Sequence, residues 1–209
     1  MADLTGFIGI FLVIIFTYIV ALRHPDISKI IFVALGVRVL VLLFGHYFII
    51  LPDSTDDAWN FEQQAWLWGQ NDFFSVLKLY TGPSADFLSW LIAIAYSLFG
   101  RSLLMAQSIG LLFGIGSVFL SWLLAKKLWN NYIANKVGWF VALFPSLILY
   151  SILLLREVYI IFFILLALIG VVNWVSDNNY KSITIAMAGF AGATFFHGAM
   201  MVGAITFIF

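Results

Sequence analysis

Long apolar runs separated by short polar connections dominate the chain. They cover residues 5–21, 30–51, 84–99, 103–125, 137–153, 158–175 and 182–209. Each is rich in Leu, Ile, Val and Phe, without the alternation over about ten residues that marks a barrel strand. A spanning helix needs about 20 apolar residues and satisfies its own backbone hydrogen bonds, the main condition for crossing hydrocarbon. The pattern predicts an all-α, polytopic transmembrane helix bundle of about six to seven hydrophobic helices. These form a single transmembrane domain over residues 1–209. The first run reads as a span or signal anchor rather than a cleaved signal peptide. Met1-Ala-Asp-Leu lacks a basic start, and Ala21-Leu-Arg-His-Pro offers no small-residue cleavage site.

The connections are short, with one exception. The loop 52–83 holds Asp53, Asp56, Asp57, Glu62 and Asp72, with Asp86 just beyond, against a single cation, Lys78. It is too long for a turn, which marks it as functional. It is also aromatic, carrying Trp59, Phe61, Trp66, Trp68, Phe73, Phe74 and Tyr80. Residues 58–69 and 72–80 are each predicted to form a short amphipathic helix at the membrane interface, where Trp and Tyr settle. This acidic loop is the candidate active face.

Composition narrows the classes further. The 209 residues are 64% hydrophobic and 10% charged, with a mean hydropathy of +1.07. Ordinary soluble domains run at roughly 45–50% apolar and about 25% charged. A soluble enzyme, a disordered chain and a nucleic-acid binder built on a basic face are excluded, so no nucleic-acid partner is expected. Ten Lys and Arg balance ten Asp and Glu, so no global field steers a partner. The absence of cysteine removes disulfides, thiolate catalysis and Cys-based metal sites.

Orientation follows from Lys and Arg in short loops. Arg23 and Lys29 flank one connection, and Lys126, Lys127 and Lys136 crowd another that has no acid. Both read as cytoplasmic, which puts the acidic loop outside. Full crossing by every run would place the acidic loop and Lys126 on the same side. The weakest run, 84–99, contains Asp86, Ser89 and Ser97. If it is re-entrant or docks without crossing, Arg23, Lys29, Lys126, Lys127, Lys136 and Lys181 lie inside. Lys78, Arg101 and Arg156 then lie outside. This second arrangement is the expected one.

Few residues are placed to do chemistry. Asp56 and Asp57 follow the second span at the water–membrane boundary, where partial desolvation suits a carboxylate to act as a general base. Ser54, Thr55, Asp56 and Asp57 are also good helix N-caps, so capping competes with catalysis as a reading. Asp53 and Asp56, with Asp57, would alternatively supply oxygen ligands to a divalent cation; no other cofactor is expected. Arg156-Glu157 interrupts the apolar stretch from Leu147 to Gly170. Either the pair sits in a short solvated loop, or Arg156 grips a phosphate with Glu157 orienting it or acting as a second acid. Arg38 lies within a span, where pairing inside the bundle or snorkelling is expected ahead of a substrate contact. His197 interrupts the last run; a lone histidine there either bonds a neighbouring helix or donates to an anionic leaving group. His46 reads the same way, and His24 beside Pro25 reads as a turn. Gly110-Leu-Leu-Phe-Gly114 suits close helix packing, not phosphate binding, because no Lys-Ser/Thr follows.

The order of these pieces resembles a known family. An acidic first outer loop with a short helix leads to G-P-S-A-D-F-L-S-W…Y-S-L-F-G-R-S-L-L-M-A-Q-S. A glycine-rich span ending L-A-K-K-L-W follows, then A…G-W-F-V-A-L-F-P-S-L-I-L-Y-S and L-L-R-E. This is similar to the N-terminal membrane module of GT-C glycosyltransferases, in particular the protein mannosyltransferases and lipid A aminoarabinose transferases. The resemblance covers most of residues 30–209 and lies in the order of degenerate motifs. It implies that Asp57, with Phe61 and Ala65 following at four-residue steps, is the family's first-loop acid and the base on the acceptor. It implies that Arg156 and Glu157 are the basic–acidic pair after the Pro-containing span, and that His197 lies near the donor phosphate. Two departures stand out: a further span, 5–21, precedes the first family-like helix, and the chain stops at Phe209 inside an apolar run. Family members are longer, so the chain is expected to be the N-terminal part of a longer protein.

The implied activity is transfer of a sugar from a polyprenyl-phosphate-linked donor to a hydroxyl of a lipid, glycan or protein. It would take place at the outer face of a membrane, with a bacterial inner membrane as the expected location. The competing class is non-enzymatic: a membrane subunit of a larger assembly, or a component of a lipid-linked oligosaccharide transporter.

Overall fold

A computed structural model describes residues 2–80 and 82–208. Met1, ahead of the first apolar run, Thr81 of the acidic loop and Phe209 of the last run lie outside it. The described residues form helices and no strands. These are α1 (Ala2–Arg23), α2 (Ser28–Tyr47), α3 (Asp57–Gly69), α4 (Phe73–Lys78), α5 (Phe87–Phe99) and α6 (Leu103–Leu128). There follow α7 (Asn131–Leu143), α8 (Pro145–Ile152), α9 (Glu157–Asp177), α10 (Tyr180–Phe196) and α11 (Met201–Ile208). The chain is an all-α polytopic bundle. Asp3–Arg23, Pro25–Tyr47, Leu103–Leu128 and Glu157–Asp177 are long and apolar enough to cross a membrane; α7 with α8 makes a fifth, bent by 59°. Phe7, Phe11, Leu12 and Phe16 of α1 are exposed. Such a row is tolerable only where hydrocarbon covers it. The protein is an integral membrane protein.

α6 is the central helix, packed against α1, α2, α7, α8 and α9. Its small residues set the distances, as the spacing Gly110…Gly114 predicts. Both glycines sit against Ser151 of α8: a Cβ would collide with it at Gly114 and crowd its carbonyl at Gly110. Gly6 and Gly9 of α1 meet Leu104 and Ser108 of α6 in register. At the opposite end Lys126 donates to Asp26 over 2.8 Å. α1 and α6 are therefore parallel, and both begin at the same end of the bundle.

That geometry decides what happens around 84–99. α5 has 13 residues and at 1.5 Å per residue reaches about 20 Å, short of a hydrocarbon core of about 30 Å. It lies on α3 and α4 instead: Ser89 Oγ donates to the Phe61 carbonyl over 3.0 Å, and Trp90 Nε1 donates to the Val76 carbonyl over 3.0 Å. Arg101, between α5 and α6, reaches Glu62 of α3. The acidic loop, α3, α4 and α5 thus occupy one end of the bundle, together with the starts of α1 and α6. The cations divide as the non-crossing arrangement expects.

The helices of the acidic loop form where the sequence placed them. α4 begins at Asp72, whose carboxylate accepts from the Ser75 N–H over 3.0 Å and from the Ser75 hydroxyl over 2.7 Å. These bonds hold the Asp72 carboxyl below its ordinary range. The last run does differ from its reading. Residues 182–209 are not one span, because α10 stops at Phe196 and the chain turns through Gly198–Met200 into α11.

The break between α7 and α8 has an identifiable cause. Pro145 has no N–H, and its ring excludes the bond to the carbonyl four residues back, Val141. Arg38 of α2 takes the carbonyls so released. Its Nη1 donates to Ala142 O over 2.7 Å and its Nη2 to Val141 O over 3.4 Å, while Nε donates to Ser151 Oγ over 3.0 Å. Arg38 is fully buried and neither snorkels nor meets a carboxylate among the described residues. Arg38→Leu leaves those acceptors unpaired and is expected to destabilise the protein by about 3 kcal/mol, given about 1–3 kcal/mol per orphaned buried group. Thermal unfolding in detergent measures it, with Arg38→Lys falling between the two. Because the chain has no cysteine, single cysteines report sidedness directly. Asn71→Cys and Phe99→Cys should react with an impermeant maleimide from one side, Asn130→Cys and Asn178→Cys from the other. Labelling of position 99 from the side of position 130 would mean that α5 crosses.

Candidate functional site

The acidic-loop end gathers the residues singled out in the sequence. Asp56 occupies the N-cap position of α3 but makes no side-chain capping bond, and Asp57 is the first residue of the helix. Both are exposed. Capping therefore leaves the carboxylate of Asp56 unused. Asp53, also exposed, turns the chain with φ 62°, a left-handed conformation that Asp tolerates better than most residues. Among the described residues no three His, Asp or Glu side chains converge as a metal-holding group, around Asp53 and Asp56 or elsewhere.

Phe61 and Ala65 face inward one and two turns beyond Asp57, and both are buried. The guanidinium of Arg156 lies 5.1 Å from the centre of the Phe61 ring, within cation–π reach. Arg156 is the N-cap residue of α9, and Glu157 its first residue. The pair is half-buried, but the two do not bond each other. Glu157 Oε2 is buried with no hydrogen-bond partner, as is the hydroxyl of Tyr159 two residues on. Glu157 Oε2 and the Tyr159 hydroxyl are thus two buried polar atoms beside Arg156 that the protein itself leaves unsatisfied.

His197 is exposed at the C-terminal end of α10, with Nδ1 accepting from the Ala199 N–H over 3.3 Å. It follows α10 and does not sit within a span. Its neighbour Phe196 stacks on Tyr159 with ring centres 4.7 Å apart, which brings His197 to the same end as Arg156. All five candidates, Asp56, Asp57, Arg156, Glu157 and His197, thus share one end of the bundle. No direct bond joins any two of them.

No family model, curated protein or solved structure matches the chain.

Sequence reasoning missed the strongest electrostatic feature there. Glu62, buried in α3, accepts from Arg101 through a two-pronged contact, Nε to Oε1 at 2.9 Å and Nη2 to Oε2 at 2.7 Å. Tyr96 OH donates to Oε1 over 3.1 Å and Gln63 Nε2 to Oε2 over 3.0 Å. Four donors converge on this carboxylate inside an apolar setting. Bonding to Glu62 raises Arg101 above the ordinary arginine value, and burial, with Glu62 beside it, raises the Tyr96 phenol. Trp66 covers the guanidinium at 5.2 Å. The one sequence clue was an acid on the apolar face of α3, four residues after Ala58 and three before Ala65. A buried carboxylate stripped of its partner is strongly destabilising, by about 3–5 kcal/mol. Arg101→Leu should approach that loss in the parent chain and fall well short of it in a Glu62→Leu background. A double-mutant cycle on thermal stability measures the difference, and additivity would show that the contact carries no coupling.

Proposed function

We propose that this protein is a membrane glycosyltransferase of GT-C type, moving a sugar from a polyprenyl-phosphate-linked donor to a hydroxyl acceptor at the outer face of a bacterial inner membrane. One observation carries the reading. Unbonded carboxylates at the start of α3 share an end of the bundle with an unpaired arginine, linked through Phe61. Base and phosphate-holding cation are the two groups that direct glycosyl transfer from a lipid phosphate requires.

In this mechanism Asp57 takes the proton of the acceptor hydroxyl as its oxygen bonds the anomeric carbon. The bond from that carbon to the phosphate oxygen breaks, and the negative charge collects on the departing lipid phosphate. Arg156 stabilises that charge by paired hydrogen bonds, with His197 as a second donor. Attack opposite the leaving group inverts the anomeric centre. Asp56 is the neighbouring acid that keeps the local field negative, and Glu157 is a second acid at the donor side.

A transporter reading is less well supported. Polar side chains within the spans are mostly satisfied by their own helices, as with Thr17 on the Val13 carbonyl and Ser117 on the Phe113 carbonyl. They line no polar route between the two ends.

Asp57→Asn tests the assignment. With a short-chain polyprenyl-phosphate sugar and a hydroxyl acceptor, transfer should fall by roughly 10²–10⁴-fold, the usual contribution of a positioned general base. The melting temperature should stay at the parent value. Turnover near that of the parent would sink the role of Asp57.

A further inference from the structure

A second polar feature lies at the acidic-loop end, on the part of α3 formed by Ala58, Trp59 and Glu62. A cavity of ≈ 380 Å³ opens there, walled also by Asp3 of α1, His46 of α2 and Gln107 of α6. Its size falls within the about 300–1,000 Å³ of small-molecule sites. Other cavities of the bundle have apolar linings, such as the one between Phe16, Phe119 and Phe162, and suit hydrocarbon chains. This one is built differently.

Two of its lining residues carry buried atoms with no hydrogen-bond partner in the protein: Gln107 Oε1 and His46 Nδ1. Gln107 is 7% exposed. A buried amide oxygen without a partner is strongly unfavourable, and such atoms in native proteins call for an explanation. The Glu62 carboxylate is held by Arg101, and Asp3 Oδ1 lies 3.9 Å from His46 Nε2. Trp59, 55% exposed, presents its indole at the rim. The wall thus offers an amide, an imidazole, two carboxylates, one guanidinium and a flat aromatic face.

That set discriminates between ligands. With two carboxylates against one guanidinium, the cavity is no site for a phosphate or another anion. A purely apolar ligand would leave Gln107 and His46 unpaired. A neutral polyhydroxylated ring meets every condition, because each hydroxyl both donates and accepts, and the apolar face of such a ring lies flat on an indole. We propose that this cavity binds a neutral hexose unit, either a free saccharide or the head group of a glycolipid entering from the membrane. The proposal rests on the groups of the cavity and not on the transfer reading.

The full chain in nanodiscs tests it. Saturation-transfer NMR is run with the methyl glycosides of glucose, mannose and galactose, and with inositol phosphate as an anionic probe. A parallel arm uses nanodiscs doped with monoglucosyl diacylglycerol. Binding of a neutral glycoside, or of the glycolipid alone, supports the site and tells which source supplies it. Gln107→Leu should weaken that binding roughly tenfold or more while raising the melting temperature, since an orphaned polar atom is replaced by an apolar one. Trp59→Ala should weaken it comparably, and Asp57→Asn should leave it intact. Failure of every neutral probe, preference for inositol phosphate, or unchanged binding by Gln107→Leu would each overturn the proposal. Loss of transfer activity in the parent with sugar binding retained would sink the catalytic reading and leave this one standing.

Discussion

Backbone carbonyls inside hydrocarbon must find a donor within the protein, and in this chain a single arginine meets that demand at its weakest point. Pro145 opens the helix that carries the chain back to the acidic-loop end. Arg38 closes the opening from α2, and its bonds reach both sides of the break, Val141 and Ala142 of α7 and Ser151 of α8. The positive charge is spread over several acceptors, which suits a guanidinium and not an ammonium. From Ser151 the chain turns through Leu153 and Leu154 to Arg156, so the position of the candidate phosphate-holding arginine depends on a joint deep in the bundle.

A second fixed point sits at the membrane surface. The Glu62–Arg101 fork ties α3 to the start of α6, and with Ser89 and Trp90 it fastens α5 across the end of the bundle rather than through it. α3 is therefore held on two sides: Phe61 meets Arg156, and Glu62 meets Arg101. A helix so clamped presents Asp57 to one neighbourhood and Trp59 with Glu62 to another. The proposed transfer chemistry and the proposed sugar seat each draw on one of these neighbourhoods.

Much of this was legible in the residue pattern. Apolar length marked the spans, aromatic and acidic alternation marked α3 and α4, and Asp86, Ser89 and Ser97 betrayed α5 as too polar and too short to cross. The glycines of α6 read correctly as packing positions. Contacts between distant segments were not legible: Glu62 and Arg101 each look like ordinary loop charges until the fold joins them. Gln107 was hidden in the same way, because one amide in a long apolar run leaves the run's character unchanged. His197 misled for the opposite reason. The apolar residues around it continue without pause, and the helix break arises from backbone geometry that a hydropathy pattern does not carry.

The division of charge between the two ends has an electrical consequence. Asp3, Asp53, Asp56, Asp57, Glu62, Asp72, Asp86 and Glu157 outnumber Lys78, Arg101 and Arg156 at one end, while Arg23, Lys29, Lys126, Lys127, Lys136 and Lys181 outnumber Asp26 and Asp177 at the other. A chain of zero net charge is thus a dipole standing across the bilayer. In a cell whose interior is negative, the field favours one orientation by about 2.3 kcal/mol for each full charge carried across 100 mV. An inverted molecule would stand against that voltage. In such a cell the membrane potential therefore favours the orientation with the acidic end outside.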